Sequence, residues 1–240
     1  MAGLGIVIPA YDAARTLREV IARLPPLAEL ARLIVVNDGS RDGTAAVARE
    51  LARSDPRLQV VDRPRNGGYG AAMKDGLAAA RADRLGTVAC LHADGQYAPE
   101  ALPALLASLR ARRLDLLQGS RIASGTALRG GMPLYKYLAG RALTRLERWT
   151  FSLPLTDGHS GYLVYGPRAL ERLPFDRLSD SFDFDLEVIA SARAAGLAVG
   201  EHPIPTHYGD EVSHLNPITY GLRALRVMAR YRLGHYRHES

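Results

Sequence analysis

The feature that most constrains the fold is a regular alternation, over the first 120 residues, of short apolar runs with longer stretches of helical spacing. Runs that are apolar throughout are typical of strands buried on both faces, and the intervening helices supply the cover. The alternation therefore predicts an α/β protein with a three-layer α/β/α arrangement and a mostly parallel central sheet. The strands predicted in this region are Leu4–Ile8, Leu33–Val36, Leu58–Val61, Thr87–Leu91 and Leu114–Gln118.

Two of the predicted helices begin directly after aspartates, which suit helix N-termini. Asp12 is placed to cap a helix over Ala13–Leu24, and Asp42 to cap a helix from about Gly43 to Arg53. After residue 119 the alternation gives way to a different pattern. The other predicted elements are helices over Gly70–Ala80, Pro99–Arg112, Tyr135–Thr150, Phe184–Ala195 and Pro217–Leu233, and strands over Ser160–Tyr165 and Val199–Pro205.

The length and composition suit one substantial core. The chain has 240 residues, of which 47% are hydrophobic, and we expect a single domain over residues 1–240. One cysteine excludes an intrachain disulfide framework and a Cys-rich zinc site. Because Cys90 falls in a predicted buried strand, we expect it to be inert packing.

The sequence contains no apolar run that approaches the ~18–20 residues needed to cross a bilayer. The N-terminal residues also lack the basic and apolar regions of a signal peptide. The expected location is therefore the cytoplasm, with peripheral contact at the inner face of the membrane as an alternative.

The chain is basic, with a formal net charge of +6, and its only lysines are Lys74 and Lys136. All its other basic residues are arginines, whose planar guanidinium groups bind phosphates in two-point fashion. Such a balance suits nucleic acid, anionic membranes and phosphorylated substrates equally. Nucleic acid is disfavoured, because aromatic residues make up only 7% of the chain and no recognised binding module is present.

Polar clusters follow three of the predicted strands, where ligands bind in open parallel sheets. The last of them contains Asp94 and Gln96, whose side-chain oxygens are ligands of the kind that Mg²⁺ or Mn²⁺ accepts. Taken alone, Asp94 and Gly95 are more typical of a simple turn after a strand than of a metal site. The three clusters are Pro9-Ala10-Tyr11-Asp12, Asn37-Asp38-Gly39-Ser40 and His92-Ala93-Asp94-Gly95-Gln96.

As an ordered set, the motifs resemble those of family 2 glycosyltransferases. Ile8 to Asp12 looks like their opening motif, Val35 to Thr44 like their second nucleotide-binding motif, and Asn66 to Ala72 like the third. His92 to Gln96 stands in the place of the metal-binding Asp-x-Asp signature. Gln118-Gly119-Ser120-Arg121 and Asp157-Gly158-His159-Ser160-Gly161 follow in the family's order. The resemblance is nearest to the dolichol- and polyprenyl-phosphate sugar synthases, which have the nucleotide-diphospho-sugar transferase (GT-A) fold.

This resemblance implies a role for each matching position. Residues 1–119 would bind the nucleotide sugar, residues 120–216 the acceptor, and residues 217–240 would form a C-terminal amphipathic, Arg-rich helix. Asp94 and Gln96 would hold Mg²⁺ or Mn²⁺ on the diphosphate of a UDP-, GDP- or dTDP-sugar. Nucleotide-binding residues would be Pro9, Ala10, Tyr11, Asp12, Asp38, Gly67, Gly68, Gly70, Lys74, His92 and Ala93. Acceptor- or phosphate-binding residues would be Ser120, Arg121, Lys136 and His214.

Two positions depart from the family pattern. Asn37 stands where many relatives have aspartate, and His92 replaces the first acid of the metal signature. An imidazole can ligate Mn²⁺ or contact phosphate, so the metal role rests mainly on Asp94. These departures also motivate a second hypothesis of a different class, a non-catalytic glycosyltransferase-like module that binds nucleotide.

The implied reaction is metal-dependent, inverting transfer of a sugar to a polyprenyl phosphate, with Asp94 and Arg121 neutralising the leaving diphosphate. The alternative acceptor is a soluble hydroxyl or amine in a cell-envelope or natural-product pathway. A lipid phosphate is already anionic, whereas a hydroxyl needs a carboxylate base. The candidates for that base are Asp157, Asp183 and Asp185, although Asp183 and Asp185 equally suit the start of a helix.

The Arg-rich final helix has two interpretations. It can lie on anionic lipid, or it can pack Leu222, Leu225 and Met228 against the domain with its arginines in water, which we favour slightly. Relatives in the resembling branch often carry C-terminal membrane helices. This sequence ends without them, which weakens the case for a lipid acceptor.

Overall fold

The computed structural model describes residues 3–125, 127–128, 131–205 and 217–237. Its centre is a seven-stranded sheet in the order β3-β2-β1-β4-β6-β5-β7. Only β6 runs antiparallel to its neighbours, β4 and β5, and the other pairings are parallel. The strands are β1 (Leu4–Ala10), β2 (Leu30–Asn37), β3 (Leu58–Asp62), β4 (Thr87–Cys90), β5 (Leu116–Ser120), β6 (Leu163–Tyr165) and β7 (Val199–Pro203).

Helices pack on both faces of this sheet. Short 3₁₀ turns at Pro99–Ala101 and Phe175–Arg177 complete the described regular structure. The α-helices are α1 (Leu17–Ala22), α2 (Thr44–Ser54), α3 (Tyr69–Ala82), α4 (Leu102–Ala111), α5 (Leu134–Phe151), α6 (Pro167–Arg172), α7 (Phe184–Ala194) and α8 (Pro217–Arg232).

Strand β1 shows why the apolar runs are continuous rather than alternating. Ile6 and Ile8 pack into the core on the face covered by α1, α2 and α4, while Val7 packs into the core on the face of α3 and α7. Successive side chains of a strand point to opposite faces, so a strand covered on both sides needs apolar residues throughout. The predicted three-layer α/β fold with a mostly parallel sheet is confirmed.

The elements before residue 120 lie close to their predicted positions, but the start of the first helix was wrong. Helix α1 begins at Leu17, and Asp12 does not cap it. Asp12 has a positive φ of 48°. Its Oδ1 accepts the Arg41 backbone N–H at 2.7 Å, and its own N–H donates to Ser40 Oγ at 3.1 Å. The aspartate joins two strand-end loops instead of starting a helix.

The second half of the chain completes the same sheet. Strand β6 inserts between β4 and β5, and β7 pairs with β5 at the edge. The pattern predicted strands at both places, although β6 is shorter than the predicted Ser160–Tyr165, and helix α6 was not predicted.

The interpretation that α8 packs through Leu222, Leu225 and Met228 is wrong for two of the three residues. Met228 is buried, but Leu222 and Leu225 are 65% and 47% exposed. The buried side of α8 is formed instead by Ala224, Val227 and Met228. Within the described residues, no helix has the length and apolar character that crossing a membrane requires.

Candidate active site

The predicted site residues gather where the parallel strands end. Pro9 and Ala10 end β1, Asn37 ends β2, and Asp38 follows directly. Strand β1 lies between β2 and β4, so the loops after these three strands are neighbours at one edge of the sheet. The nucleotide and metal motifs of the sequence therefore meet at one place, as the carboxyl ends of parallel strands require.

The carboxylate of Asp38 shapes the glycine motif that precedes α3. Its oxygens accept the backbone N–H groups of Gly67 and Gly68, each at 2.9 Å, and Arg63 pairs with it from the side. Asp38 is 3% exposed, so its carboxylate is engaged within the protein. Contact of Asp38 with a base or ribose stays a prediction. Arg63 was not predicted as a site residue, because its contact with Asp38 joins positions that are 25 residues apart in sequence.

Glycine is required at two positions of this motif. Gly68 has a φ of 99°, and a Cβ there would lie 2.5 Å from the Asp180 backbone oxygen. A Cβ at Gly70 would lie 2.2 Å from the Ser179 oxygen. Lys74, one turn into α3, pairs with Asp180 at 2.7 Å. The start of α3 is thus tied to the loop that precedes α7, and Lys74 is part of that connection.

The Asn37 departure has a structural reason. Asn37 Nδ2 donates to Asp62 Oδ1 at 2.8 Å, and Asn37 Oδ1 accepts the Ser40 N–H at 3.2 Å. This hydrogen bond lowers the pKa of Asp62, and Arg49 contributes in the same direction. An aspartate at position 37 would present a second carboxylate to Asp62 in place of a donor.

The metal motif forms a tight turn directly after β4. Asp94 Oδ1 accepts the Gln96 N–H at 3.0 Å, and Gly95 between them has a φ of 77°. Asp94 and Gln96 are both partly exposed, whereas Ala93 is buried. The turn presents a carboxylate and an amide, which are oxygen donors of the type that Mg²⁺ and Mn²⁺ take.

Among the described residues, no group of three or more His, Cys, Asp or Glu side chains is arranged to hold a metal ion. The donor set of Asp94 and Gln96 therefore fits a cation that completes its coordination with substrate phosphates and water, as Mg²⁺ usually does.

His92 lies within a cluster of aromatic side chains. Its ring centroid is 5.1 Å from that of Tyr69 and 4.8 Å from that of Tyr97, and its Nε2 lies 3.2 Å from the Tyr69 hydroxyl. Burial lowers the pKa of His92, so the imidazole is neutral at pH 7. A Cβ at Gly161 would lie 2.6 Å from His92 Nε2, which explains the glycine at that position.

Asp185 lies beside this cluster at the start of α7. Burial raises the pKa of Asp185 to about 8, and a hydrogen bond from the Tyr69 hydroxyl, at 3.2 Å, acts in the opposite direction. At pH 7 the carboxyl is therefore largely protonated. Tyr69 joins Asp185 to His92, a connection that the sequence motif around Tyr69 did not indicate.

Arg121 and Asp157 form an ion pair with three hydrogen bonds in the site. Arg121 Nε and Nη2 donate to the two carboxylate oxygens at 2.8 and 3.0 Å, and the Arg121 backbone N–H donates at 3.1 Å. The guanidinium also lies 5.7 Å from the centre of the Tyr97 ring. Although burial acts to raise it, the pKa of Asp157 is lowered by Arg121, so the carboxylate stays charged and holds this cation in place.

The other predicted acceptor residues differ in what the structure shows. Ser120 is fully buried, and its hydroxyl contacts Thr156 and accepts the Ala123 N–H, so it supports the turn after β5. Lys136 lies in the first turn of α5. His214 lies outside the described residues, and its role stays a prediction.

The interpretation of Asp183 as a capping residue is not supported. Asp183 stands at the N-cap position of α7, but its side chain makes no capping hydrogen bond. Its Oδ1 instead accepts the Ser179 hydroxyl at 2.8 Å and pairs with Arg223 at 3.1 Å.

Cys90 is buried and its pKa is raised well above the ordinary value, as expected of inert packing.

Comparison with known families agrees with this geometry. The model of "Glycosyl transferase family 2" matches residues 5–176, which include all three strand-end clusters and end before α7. The chain belongs to this family, and it is a glycosyltransferase with the GT-A fold, as the resemblance implied.

Two curated relatives and one solved structure illustrate the match. The polyprenol monophosphomannose synthase of Mycolicibacterium smegmatis is 30% identical over 201 residues, 83% of this chain and 75% of that protein. A dolichol-phosphate mannosyltransferase of Saccharomyces cerevisiae is 29% identical, covering 82% of this chain and 75% of the relative. Glucosyl-3-phosphoglycerate synthase of Mycobacterium tuberculosis superposes with a TM-score of 0.72 at 18% identity, over 96% of this chain and 80% of that one.

Proposed function

We propose that this glycosyltransferase moves a sugar from a nucleotide-diphospho-sugar to a polyprenyl phosphate, with inversion and with a divalent cation. The choice of acceptor rests on the pairing and charge of the three aspartates that could act as a base. Asp157 is bound by Arg121 and Asp183 by Arg223. The pKa of Asp185 is raised to about 8 by burial, which leaves its carboxyl largely protonated at pH 7. None of the three is a free carboxylate, so the site suits an acceptor that already carries its negative charge.

The donor side of the proposal rests on the strand-end loops. The backbone of Gly67 and Gly68, held by Asp38, allows a nucleotide to approach closely where a side chain would obstruct it. Asp94 and Gln96 would hold Mg²⁺ or Mn²⁺ on the diphosphate, and the cation would neutralise its charge. The structure of the Mycobacterium tuberculosis synthase with Mn²⁺, UDP and phosphoglyceric acid supports this choice, because the folds correspond with a TM-score of 0.70.

Arg121 supplies a fixed positive charge on the acceptor side. Its guanidinium is held on one side by Asp157 and lies near the face of Tyr97. A preoriented cation of this kind stabilises a phosphate oxygen without reorganising during the reaction. The phosphate oxygen of the acceptor would attack the anomeric carbon from the face opposite the leaving nucleoside diphosphate, so an α-linked donor would give a β-linked product.

The named relatives support the acceptor class. The relatives from Mycolicibacterium smegmatis and Saccharomyces cerevisiae are named for polyprenol and dolichol phosphate. A third, from Micrococcus luteus, is an undecaprenyl-phosphate mannosyltransferase, 29% identical over 82% of this chain. We infer that this chain acts on the same class of acceptor.

The proposal is tested by a transfer assay with purified protein. UDP-, GDP- and dTDP-sugars are each supplied with Mg²⁺ or Mn²⁺ and a short-chain polyprenyl phosphate, and the product is examined by mass spectrometry and NMR. We expect transfer to the phosphate and none to the same polyprenol without phosphate. Asp94→Ala should lower the rate by about 100-fold or more, whereas Asp176→Ala, an exposed control, should not.

Other outcomes would select between the remaining hypotheses. Transfer only to a soluble hydroxyl or amine would replace the lipid acceptor with the alternative acceptor class. Nucleotide binding that is indifferent to metal, with no transfer to any acceptor, would favour the non-catalytic module. Full activity in Asp94→Ala would remove the metal role assigned to Asp94.

A further inference from the structure

The exposed apolar side chains of this protein are concentrated on two neighbouring helices. The described part of the chain exposes ten large apolar side chains, of which seven lie on α5 and α8 and an eighth directly follows α8. Elsewhere in that part, the exposed side chains of this kind are Leu128 and Phe182. The eight residues are Leu134, Tyr135, Leu138, Leu146, Trp149, Leu222, Leu225 and Leu233.

On each helix these residues form a stripe. Leu134, Leu138 and Leu146 are separated by multiples of four residues along α5, and Trp149 follows three residues later. Residues three or four apart lie on the same face of a helix. On α8, Leu222 and Leu225 form the corresponding stripe, which Leu233 extends past the helix end.

The two stripes adjoin each other. Helices α5 and α8 pack together. Near their C-terminal ends, the Arg232 guanidinium lies 4.1 Å from the centre of the Trp149 ring and donates to the Trp149 carbonyl oxygen at 3.2 Å. Tyr231 packs edge-on against Phe151, with ring centroids 4.9 Å apart. The eight apolar residues therefore belong to one two-helix surface, here called the α5/α8 surface.

The exposed charges on these two helices are of one sign. Arg141, Arg145 and Arg148 are exposed on α5, and Arg226 and Arg232 are exposed on α8. The only acidic residue in either helix is Glu147, which is 3% exposed and faces the interior. Apolar side chains flanked by exposed arginines, with no exposed acid on either helix, match a layer of anionic lipid headgroups above an apolar interior.

We propose that the α5/α8 surface docks this protein on an anionic membrane. A second copy of the chain fits this surface less well, because pairing the same face with itself brings the arginines together without an acidic partner. This inference rests on the proposed function in one respect: a polyprenyl phosphate lies in a membrane, so docking would bring the site to its acceptor.

The buried side of α5 connects the surface to the site. Thr144 Oγ1 accepts the Gly158 N–H at 3.2 Å. Gly158 adjoins Asp157, whose carboxylate holds Arg121. A lipid acceptor that enters along α5 would therefore have its phosphate near Arg121, while its isoprenoid chain stays with the membrane.

The test measures co-sedimentation of the whole chain with vesicles, without any substrate. We expect binding to vesicles of equal phosphatidylglycerol and phosphatidylcholine, weaker binding to phosphatidylcholine alone, and release at high salt. The double variant Trp149→Glu and Leu225→Glu should weaken binding at least tenfold. The double variant Ala46→Glu and Ala107→Glu, which adds the same charge on the exposed sides of α2 and α4, should bind as the wild type does.

The arginines are tested separately from the apolar residues. Arg141→Glu and Arg145→Glu should each weaken binding about fivefold or more, because each basic residue near an anionic surface contributes about that factor. Arg53→Glu on α2 is the matched control for a change of charge at an exposed arginine. Circular dichroism and thermal melting of every variant confirm that it is folded.

The results separate docking from the proposed function. Equal vesicle binding by wild type and the double variant, or no binding by the wild type, would overturn docking even if transfer to a short, water-soluble polyprenyl phosphate proceeds. Self-association that is lost in the double variant, without vesicle binding, would also overturn docking in favour of a second copy. Loss of vesicle binding in the variants supports docking even if no acceptor is glycosylated, and in that case only the proposed function fails.

Discussion

Two buried aspartates beside the site show opposite behaviour. Asp157 is 3% exposed and Asp185 is 8% exposed, so both carboxyl groups are removed from water to a similar extent. Yet the pKa of Asp157 is lowered, whereas the pKa of Asp185 is raised to about 8. The difference lies in their partners, because Arg121 faces Asp157 with two hydrogen bonds, while Asp185 has the Tyr69 hydroxyl.

The comparison shows that burial alone does not decide the charge of these groups. Burial raises the pKa of an acid, and a close guanidinium more than offsets that effect at Asp157. The charged aspartate then serves to hold Arg121, and the neutral one serves to hold Tyr69 and, through it, His92. Changing one partner at a time tests this comparison.

Removing the cation from Asp157 should have the largest effect. Arg121→Met leaves a buried carboxylate without its partner, and we expect a loss of about 3–5 kcal/mol in the free energy of unfolding at pH 7. Urea denaturation measures this loss. Arg18→Met, at a pair with Glu50 in which the side chains are 52% and 62% exposed, is the control and should cost about 1 kcal/mol or less. Equal losses in the two variants would show that Arg121 does not stabilise a buried charge.

The two aspartates should respond differently to the same substitution. Asp157→Asn removes the carboxylate that binds the Arg121 guanidinium and should cost about 2–3 kcal/mol at pH 7. Asp185→Asn replaces a carboxyl that is already neutral and should stay within about 1 kcal/mol of the wild type. If the acceptor is a phosphate, Asp185→Asn should also leave the rate of transfer within about fivefold. A rate loss of 100-fold or more would instead identify Asp185 as a base.

The same principle applies at position 37, where an asparagine, rather than a second acid, lies beside Asp62. Asn37→Asp would set a second carboxylate against Asp62 at a position that is 5% exposed. We expect a loss of about 1–3 kcal/mol, greater at pH 8 than at pH 5 because acid protonates the new carboxyl. Asn66→Asp, the same change at an exposed residue, is the control. An equal effect in both variants would contradict the role given to the Asn37 amide.

These examples show which features the sequence could predict. The strand ends were predictable, because apolar runs stop at polar clusters such as Asn37 and Asp38, and this placed the motifs at one edge. The partners were not, because Tyr69 and Asp185 are 116 residues apart and only the packed fold brings them together. At Asp12 the local pattern led to a wrong prediction. Its local pattern suits a helix cap, but loop contacts with Ser40 and Arg41 prevail.

The two aspartates should also give opposite dependences on pH. Since the folded pKa of Asp185 is about 8 and its unfolded pKa is about 4, the folded state holds an extra proton between these values. The proton held by Asp185 should therefore make stability fall as pH rises from about 4 to 8, by up to about 1.4 kcal/mol per pH unit. The pKa of Glu147 is also raised to about 8, so Glu147 changes stability with pH in the same direction.

Asp157 acts in the opposite direction. Its folded pKa is depressed, so its contribution is present above about pH 4 and is lost as pH falls further. Urea denaturation between pH 3 and 8 measures both slopes. In Asp185→Asn the slope between pH 5 and 8 should be shallower by about one proton, and an unchanged slope would contradict the raised pKa of Asp185.

The smallest effect should come from the hydroxyl that links Asp185 to His92. Tyr69→Phe removes the hydrogen bond that lowers the pKa of Asp185, so that pKa should rise further, and stability should change by only about 1 kcal/mol. The carboxyl ¹³C resonance of Asp185, followed through a pH titration, reports the change directly. Tyr135→Phe, at an exposed tyrosine on α5, should leave this titration unchanged. A lower pKa of Asp185 in Tyr69→Phe would mean that the Tyr69 hydroxyl accepts a hydrogen bond from the protonated Asp185. The direction of that hydrogen bond would then be reversed, and the tyrosine would donate to His92 instead.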